Sequence, residues 1–463
     1  MGLNLADIQG NIVPGFDSRF QEFVFVRFEG TATDTARDWL RAAQRRLTSA
    51  ADVTYIKGHN KRRAGPAVAV GAGTSSAPWV NLALSWQGLQ QLEATERDRL
   101  PAEFTASPEA RARELGDLGN RWQAAPTGHD AWSEWEVGSE TSEADVLLML
   151  GTRTKAELDV LRDEIFAEIK QHRLPLPVSY RGERRVDGTE QFGFADGGSQ
   201  PVPNEVTDSG WRASSDGQIV APGEFIIGQP GEGLTTPADG PSWATDGSYV
   251  VFRRLRQNVP QFWANVGEAR CVLDDNDVPG LDIDTMALKI MGRSPGQDNT
   301  MVPLFQSRWG DDVPLFAHTR KAHPRNLDVL ADGTVPRQHR IIRRGIPYTN
   351  NKDDRGLLFV AFQASIARQF KYIQTRFLND AQFPRIDRAS FTGTVLSAEA
   401  RKPGPDPVAG LWGSGDISVR YPRPDAADPA REVVELTLKP VVSPLGSGYF
   451  FAPSLSAVAA LAR

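Results

Sequence analysis

"ADVLLMLG" (residues 144–151) runs directly into "TRTKAELDVLRDEIFAEIKQ" (152–171). After Asp145 the first stretch is a short unbroken apolar run of strand length. The second spaces its apolar residues as a helix does, and Thr154 stands where an N-cap belongs. The reading is a buried strand feeding a helix. The same rhythm occurs earlier, where "EFVFVRF" (22–28) precedes "TARDWLRAAQRRL" (35–47) and "WVNLALSW" (79–86) leads into "QGLQQLEA" (87–94). It returns in the second half: "EFIIGQP" (224–230) reads as a strand, "SYVVFRRL" (248–255) leads into "RQNVPQFWANV" (256–266), and "GLLFVAFQ" (356–363) leads into "ASIARQFKYIQTRFL" (364–378). "GYFFAPS" (448–454) adds a late strand. Two halves alike in outline, each a sheet covered by helices, place the chain in the α+β class. Residues 204–247 and about 400–432 are rich in turn-forming types and read as long surface loops, with the boundary between the halves at 200–222.

Composition narrows the function. A chain of 463 residues, 40% hydrophobic and 24% charged, has length for two or three domains with a real core. Its net charge of -6 argues against nucleic acid or an anionic membrane as the main partner. A single cysteine, Cys271, excludes an internal disulfide and a cysteine-based zinc cluster. No run of 18 apolar residues is present, so no membrane helix is expected. "MGLNLADIQGNIVPGF" (1–16) carries no secretory or lipidation pattern, and a cytoplasmic location is the expectation.

Charge is distributed unevenly. Three of the six histidines, His318, His323 and His339, fall within residues 314–350, together with Arg320, Lys321, Arg325, Arg337, Arg340, Arg343 and Arg344. A positive block in an acidic chain reads either as a solvated loop or as a site that grips carboxylates or phosphates. In "IIRRGIPY" (341–348) the arginine pair directly follows two isoleucines, so at least one guanidinium is expected to face inward, where it needs a partner. "QFGFADGGSQP" (191–201) poses the converse problem: one carboxylate, Asp196, among phenylalanines and glycines. It reads as a turn, or as backbone that must pass close to something large and flat with an acid held over it.

"FGFADGGSQP", "FAHTRKAHPR" (316–325) and "IIRRGIPY" resemble, in order, three blocks of the dye-decolourising peroxidases, a family of haem enzymes. "DIQGNIV" (7–13), "GEFIIGQP", "GLLFVAFQ" and "GYFFAPS" extend the likeness over nearly the whole chain, closest to the longer subfamilies. The resemblance implies two ferredoxin-like halves in a dimeric α+β barrel-like arrangement, residues 1–205 and 206–463, with one non-covalent haem b held mainly by the second. It implies His318 as the axial iron ligand, with His323 the rival five residues on, at a place where relatives often carry Asn. Asp196 then corresponds to the acid that moves a proton between the two oxygens of hydrogen peroxide. Arg343, with Arg344 the alternative, corresponds to the arginine that stabilises charge as the O–O bond breaks. Arg325 corresponds to an arginine on a haem propionate, Gly197 completes the Gly-x-x-Asp-Gly motif against the cofactor, and Leu357 and Phe359 correspond to walls of the pocket. Gly198 is a departure, being smaller than the residue often found there. A carboxylate that orients His318 is expected as well; Asp380 and Asp387 are the candidates by chain position.

The activity implied is peroxide-driven oxidation of dyes, phenolics and other one-electron donors, with oligomeric state open. A haem carrier or iron-release protein on the same fold would not need Asp196 and Arg343, and a basic-loop binding module would not need His318.

Overall fold

A computed structural model describes residues 2–64, 78–117, 135–195, 200–204, 219–231, 240–278, 280–296, 313–324, 330, 332–384, 402–410, 415–423 and 433–463. The first half supplies β1 (Phe20–Val26), α1 (Thr33–Gln44), α2 (Ala50–Ala64), β2 (Trp79–Leu84), β3 (Val146–Thr152), α3 (Lys155–Gln171) and β4 (Val178–Glu183). These strands pair antiparallel in the order β4-β1-β3-β2, the arrangement of a ferredoxin-like unit. Thr154 caps α3 as its position suggests. Its hydroxyl accepts from the Glu157 N–H at 3.2 Å, and the Glu157 carboxylate accepts from the Thr154 N–H at 2.9 Å.

The second half repeats the scheme. Strand β5 (Ser248–Gln257) is followed by α4 (Val259–Asp275), α5 (Ile283–Met291) and the short α6 (His318–Ala322). Then come β6 (Ile342–Arg343), β7 (Ile346–Thr349), β8 (Arg355–Gln363), a separate hairpin of β9 (Ile417–Pro422) with β10 (Val433–Leu438), the long β11 (Val442–Ala452) and α7 (Leu455–Leu461). Its order is β11-β5-β8, with β6 and β7 both on the outer edge of β8. The two halves are one sheet: β11 pairs with β2 through Phe451 and Leu84, giving nine antiparallel strands.

Alternation along the strands separates two cores. Phe23, Phe25, Leu147 and Met149 point inward and meet Val250, Phe252, Leu358, Val360 and Phe362 of the other half. The Phe25 and Phe252 rings lie edge to face, 4.7 Å apart. Val24, Val26, Leu148 and Leu150 point outward, under Trp39 and Leu40 of α1 and Leu161 and Ile165 of α3. Both faces of β1 and β3 are therefore buried, which explains why "VLLMLG" is unbroken rather than alternating. The sheet curls until its ends touch, with Gly182 of β4 against Ile346 and Pro347 of β7, although no ladder joins these strands among the described residues.

Two expectations need correction. "EFIIGQP" is not a strand: Pro222–Glu224 form a 3₁₀ turn, Ile226 N–H returns to the Pro222 carbonyl at 2.9 Å, and Gly228 sits at a φ of 85°. Its apolar run is buried because Phe225 and Ile226 plug the inner core from a turn. The helix read over 364–378 begins only at Phe370, because the backbone at Gln369 (φ -117°, ψ -90°) is not helical, and it is π-helical over Ile373–Leu378; the Gln369 side chain donates to the Glu224 and Arg340 carbonyls. Among the described residues no helix is long and apolar enough to cross a membrane.

The contact between the sheet's ends is open to test. A Cβ at position 182 would lie 2.3 Å from Ile346 Cγ2 and 2.9 Å from the Pro347 carbonyl oxygen. Gly182→Ala should therefore destabilise the protein by about 1–3 kcal/mol, the usual range for overpacking, read from urea denaturation at unchanged m-value.

Candidate active site

The strands of the second half have a second duty on their outer face. Arg253, Leu255 and Gln257 of β5, Leu357 and Phe359 of β8, Arg343 of β6 and Val442 of β11 all line one cavity of about 240 Å³. Their even-numbered neighbours Phe252, Leu358, Val360 and Ile342 fill the inner core. The register fixes this: Phe359 lies opposite Arg253, Leu357 opposite Leu255, and Ala361 opposite Arg343.

The same alternation separates the arginine pair. Arg343 lines the cavity, whereas Arg344 turns to the first half and donates to the Asn11 and Ile12 carbonyls at 2.9 and 3.0 Å. Burial pushes the Arg344 guanidinium down to about 9. "DIQGNIV" is thus the acceptor for one arginine of "IIRRGIPY".

Across the cavity lies α6. Its approach is set by Gly292, which ends α5 at a φ of 85° and accepts from the Thr319 hydroxyl at 3.1 Å. A Cβ at position 292 would stand 2.0 Å from that hydroxyl oxygen. His318, the first residue of α6, lines the cavity and bonds through Nδ1 to Oδ2 of Asp406 at 2.8 Å. The other Asp406 oxygen accepts from the Val408 and Ala409 N–H groups at 2.7 and 2.8 Å. Burial alone would raise the Asp406 carboxyl, but the His318 ring and these two N–H donors hold it below the usual carboxylate range. With Nδ1–H given to the carboxylate, the lone pair is on Nε2.

His323 also lines the cavity, as does His339. The His339 ring is pinned by contacts with the Arg368 carbonyl and the Thr334 hydroxyl and is stacked on Tyr372 at 3.8 Å.

Asp196, Gly197 and Arg325 lie outside the described residues, but described residues on either side of the first two in sequence line the cavity. Phe194, Ala195 and Pro201 line it. The Ala195 carbonyl accepts from Arg293 at 2.6 Å, and the Gln200 side chain accepts from the Arg343 N–H at 3.0 Å. The Glu190 carboxylate holds the Phe192 and Phe194 N–H groups at 2.9 and 3.0 Å.

The partner of His318 is a correction. Asp380 contributes its backbone carbonyl to Lys321, not a carboxylate to the histidine, and Asp387 lies outside the described residues. Asp406 was missed because it lies 88 positions beyond His318. The available signal was "GPDPVAG" (404–410), an Asp between prolines that turns back on its own following N–H groups. Arg253, Arg293 and Arg340 were not singled out as cavity residues either; Arg253 forms a fully buried pair with Asp117 at 2.7 Å.

A nitrogen lone pair backed by a carboxylate, apolar walls of Leu255, Met291, Leu357, Phe359, Leu378 and Val408, and several arginines among the lining residues suit a flat apolar macrocycle with acidic side arms. Comparison with known proteins agrees. Residues 7–179 match the DyP dimeric alpha+beta barrel domain, and residues 192–398 match the C-terminal domain of Dyp-type peroxidases. The chain belongs to the dye-decolorizing peroxidase family. It is 28% identical to Peroxidase 2 of Mycetinis scorodonius, over 99% of this chain and 87% of that one. It is also 28% identical to a multifunctional dye peroxidase of an Amycolatopsis species, over 82% and 81%. Among solved structures it resembles an ancestral D-type dye-decolorizing peroxidase, with a TM-score of 0.76, 26% identity and 99% of both chains covered. A variant of the Pleurotus ostreatus enzyme aligns at a TM-score of 0.79 and 25% identity, over all of both chains. The protein is a haem peroxidase acting on dyes.

The Asp406 carboxylate makes a pH-dependent contribution with a definite sign. Its folded pKa lies below its unfolded value, so its stabilisation is complete above the ordinary carboxylate range and is lost as pH falls through the folded value. Asp406→Asn should remove that part of the acid sensitivity. Denaturation midpoints followed from about pH 6 to about pH 2 should fall less steeply for the variant than for the unsubstituted protein.

Proposed function

We propose that the cavity between β8 and α6 is the catalytic haem site and that the cofactor is one non-covalent haem b per chain. The observation that carries this reading is the pair of half-buried His318 and fully buried Asp406, which leaves the ring's Nε2 lone pair for a metal. The lone cysteine, Cys271, is exposed on α4 and is not among the cavity residues, which agrees with a haem held without thioether bonds.

His318 holds the iron, and Asp406 fixes the ring's orientation and raises its basicity. Haem bound there supplies the redox iron on which hydrogen peroxide is reduced. The chain's own groups handle the protons and charge. Asp196 takes the proton from one peroxide oxygen and delivers it to the other, which leaves as water. Arg343 holds a fixed positive charge at the cavity wall, where negative charge develops as the O–O bond breaks. Its backbone N–H donates to the side chain of Gln200, four residues after Asp196 in sequence. Arg325 binds a propionate, Gly197 lets backbone approach the macrocycle, and Leu357 and Phe359 exclude water.

Dyes and phenolics are the proposed electron donors. A related structure holds 2,6-dimethoxyphenol, at a TM-score of 0.71 and 25% identity. The iron-release alternative rests on deferrochelatases that match only 32% of the chain.

His318→Ala should fold and purify almost without haem, read as loss of the Soret band. A normal spectrum for it, with haem lost from His323→Ala instead, would overturn the ligand assignment. Arg343→Leu should slow the peroxide step roughly 10²–10³-fold, measured by stopped flow. Asp196→Asn should be slowed less than Arg343→Leu, since water can relay a proton but cannot supply a fixed charge. The reverse order would show Asp196 to be the indispensable group.

A further inference from the structure

Lys321 is fully buried, one turn along α6 from His318. Its three ammonium hydrogens are matched by three backbone carbonyls: Asp380 at 2.8 Å, Phe383 at 2.8 Å and Gly404 at 2.6 Å. An ammonium has three donors and no acceptor, so this cage satisfies it completely. Burying a lysine is costly, and desolvation pushes this one down to about 7 despite the nearby carboxylates of Asp406 and Asp380. It is not among the residues that line the cavity, and the hydrogen bonds of its ammonium all go to backbone carbonyls.

Those contacts are specific. Gly404 is two residues before Asp406, and the Asp406 N–H bonds to the Leu378 carbonyl at 2.8 Å. The Gly404 N–H bonds to the Ala381 carbonyl at 2.9 Å. Residues 378–383 and 404–406 therefore run together, and the Lys321 ammonium joins both to the helix that begins with His318. We propose that Lys321 is a positioning residue for the peroxidase reaction, a hydrogen-bonding clamp that fixes the distance between the His318 ring and the Asp406 carboxylate. A hydrogen bond between groups 88 positions apart has no local geometry to hold it. The clamp supplies that geometry by tying both ends to one point.

The proposal rests on His318 as the iron ligand, and the test separates the two. In the haem-loaded, cyanide-ligated protein with ¹⁵N-labelled histidine, the His318 ring signals should be hyperfine-shifted, and the exchange of its Nδ1–H with solvent can be timed. Lys321→Met should speed that exchange roughly tenfold or more while sheet amides remain as protected as before. Turnover with peroxide should fall roughly tenfold, as when the support of a metal ligand is lost. If Lys321→Met does not fold, Lys321→Gln keeps two amide donors and should show the same acceleration in smaller degree. In the unsubstituted protein, the His318 ring proton and the Lys321 ammonium should exchange through one shared opening that leaves the sheet closed. An unchanged Nδ1–H exchange rate in a folded variant, or a ring proton that exchanges while Lys321 stays protected, overturns the clamp. Absence of hyperfine shift on His318 overturns the ligand reading instead.

Discussion

The strands of the second half must satisfy two environments at once, and the two-residue period of a strand is what allows it. Phe252, Leu358, Val360 and Ile342 close the inner core, while Arg253, Leu357, Phe359 and Arg343 line the cavity on the other side of the same backbone. A slip of one residue in β8 would send Leu357 and Phe359 into the core and bring Leu358 and Val360 out to the cavity. The cavity is therefore as rigid as the sheet behind it. The sheet in turn is continuous with the first half through Leu84 and Phe451, and it packs Phe25 on Phe252. The first half takes part in the site without lining much of it: it supplies the acceptors for Arg344, which free Arg343 to be the one facing the cavity.

On the opposite wall the problem is different. α6 is only five residues long and cannot orient a histidine by helical packing alone. Its place is set by neighbours: Gly292 lets α5 come close beneath Thr319, and Asp406 takes the ring nitrogen. Each bond satisfies a group that would otherwise be buried without a partner, so the polar framework around His318 stabilises the fold as well as aiming the ring. The sheet carries the Arg343 charge and a polar framework carries the His318 ring, with the cavity between them.

Much of this was legible in the chain. The strand–helix pairs at 22–47 and 144–171 stand as read, because their apolar spacing matches one period or the other without conflict. "EFIIGQP" misled because an apolar run shows only that a segment is buried; here the burial is in a turn set by Pro222 and Gly228. "ASIARQFKYIQTRFL" kept helical spacing, but the backbone at Gln369 leaves helical geometry, with φ -117° and ψ -90°. His318 and Arg343 stand out in the sequence through their motifs and both line the one cavity, along with Leu357 and Phe359.

The sequence by itself determined the α+β class, the two repeated halves, the family, and the residue types that bring an imidazole and arginines to the site. Those follow from local periodicity and short motifs, in which neighbours in the chain are also neighbours in space. Tertiary structure alone decided that the halves share one sheet, that Arg344 finds its acceptors on Asn11 and Ile12, and that Asp406 rather than Asp380 holds His318. These depend on strand register and on contacts between groups as far apart as Ile12 and Arg344. Such contacts form only where the packed core brings distant backbone together, and no local pattern encodes that meeting.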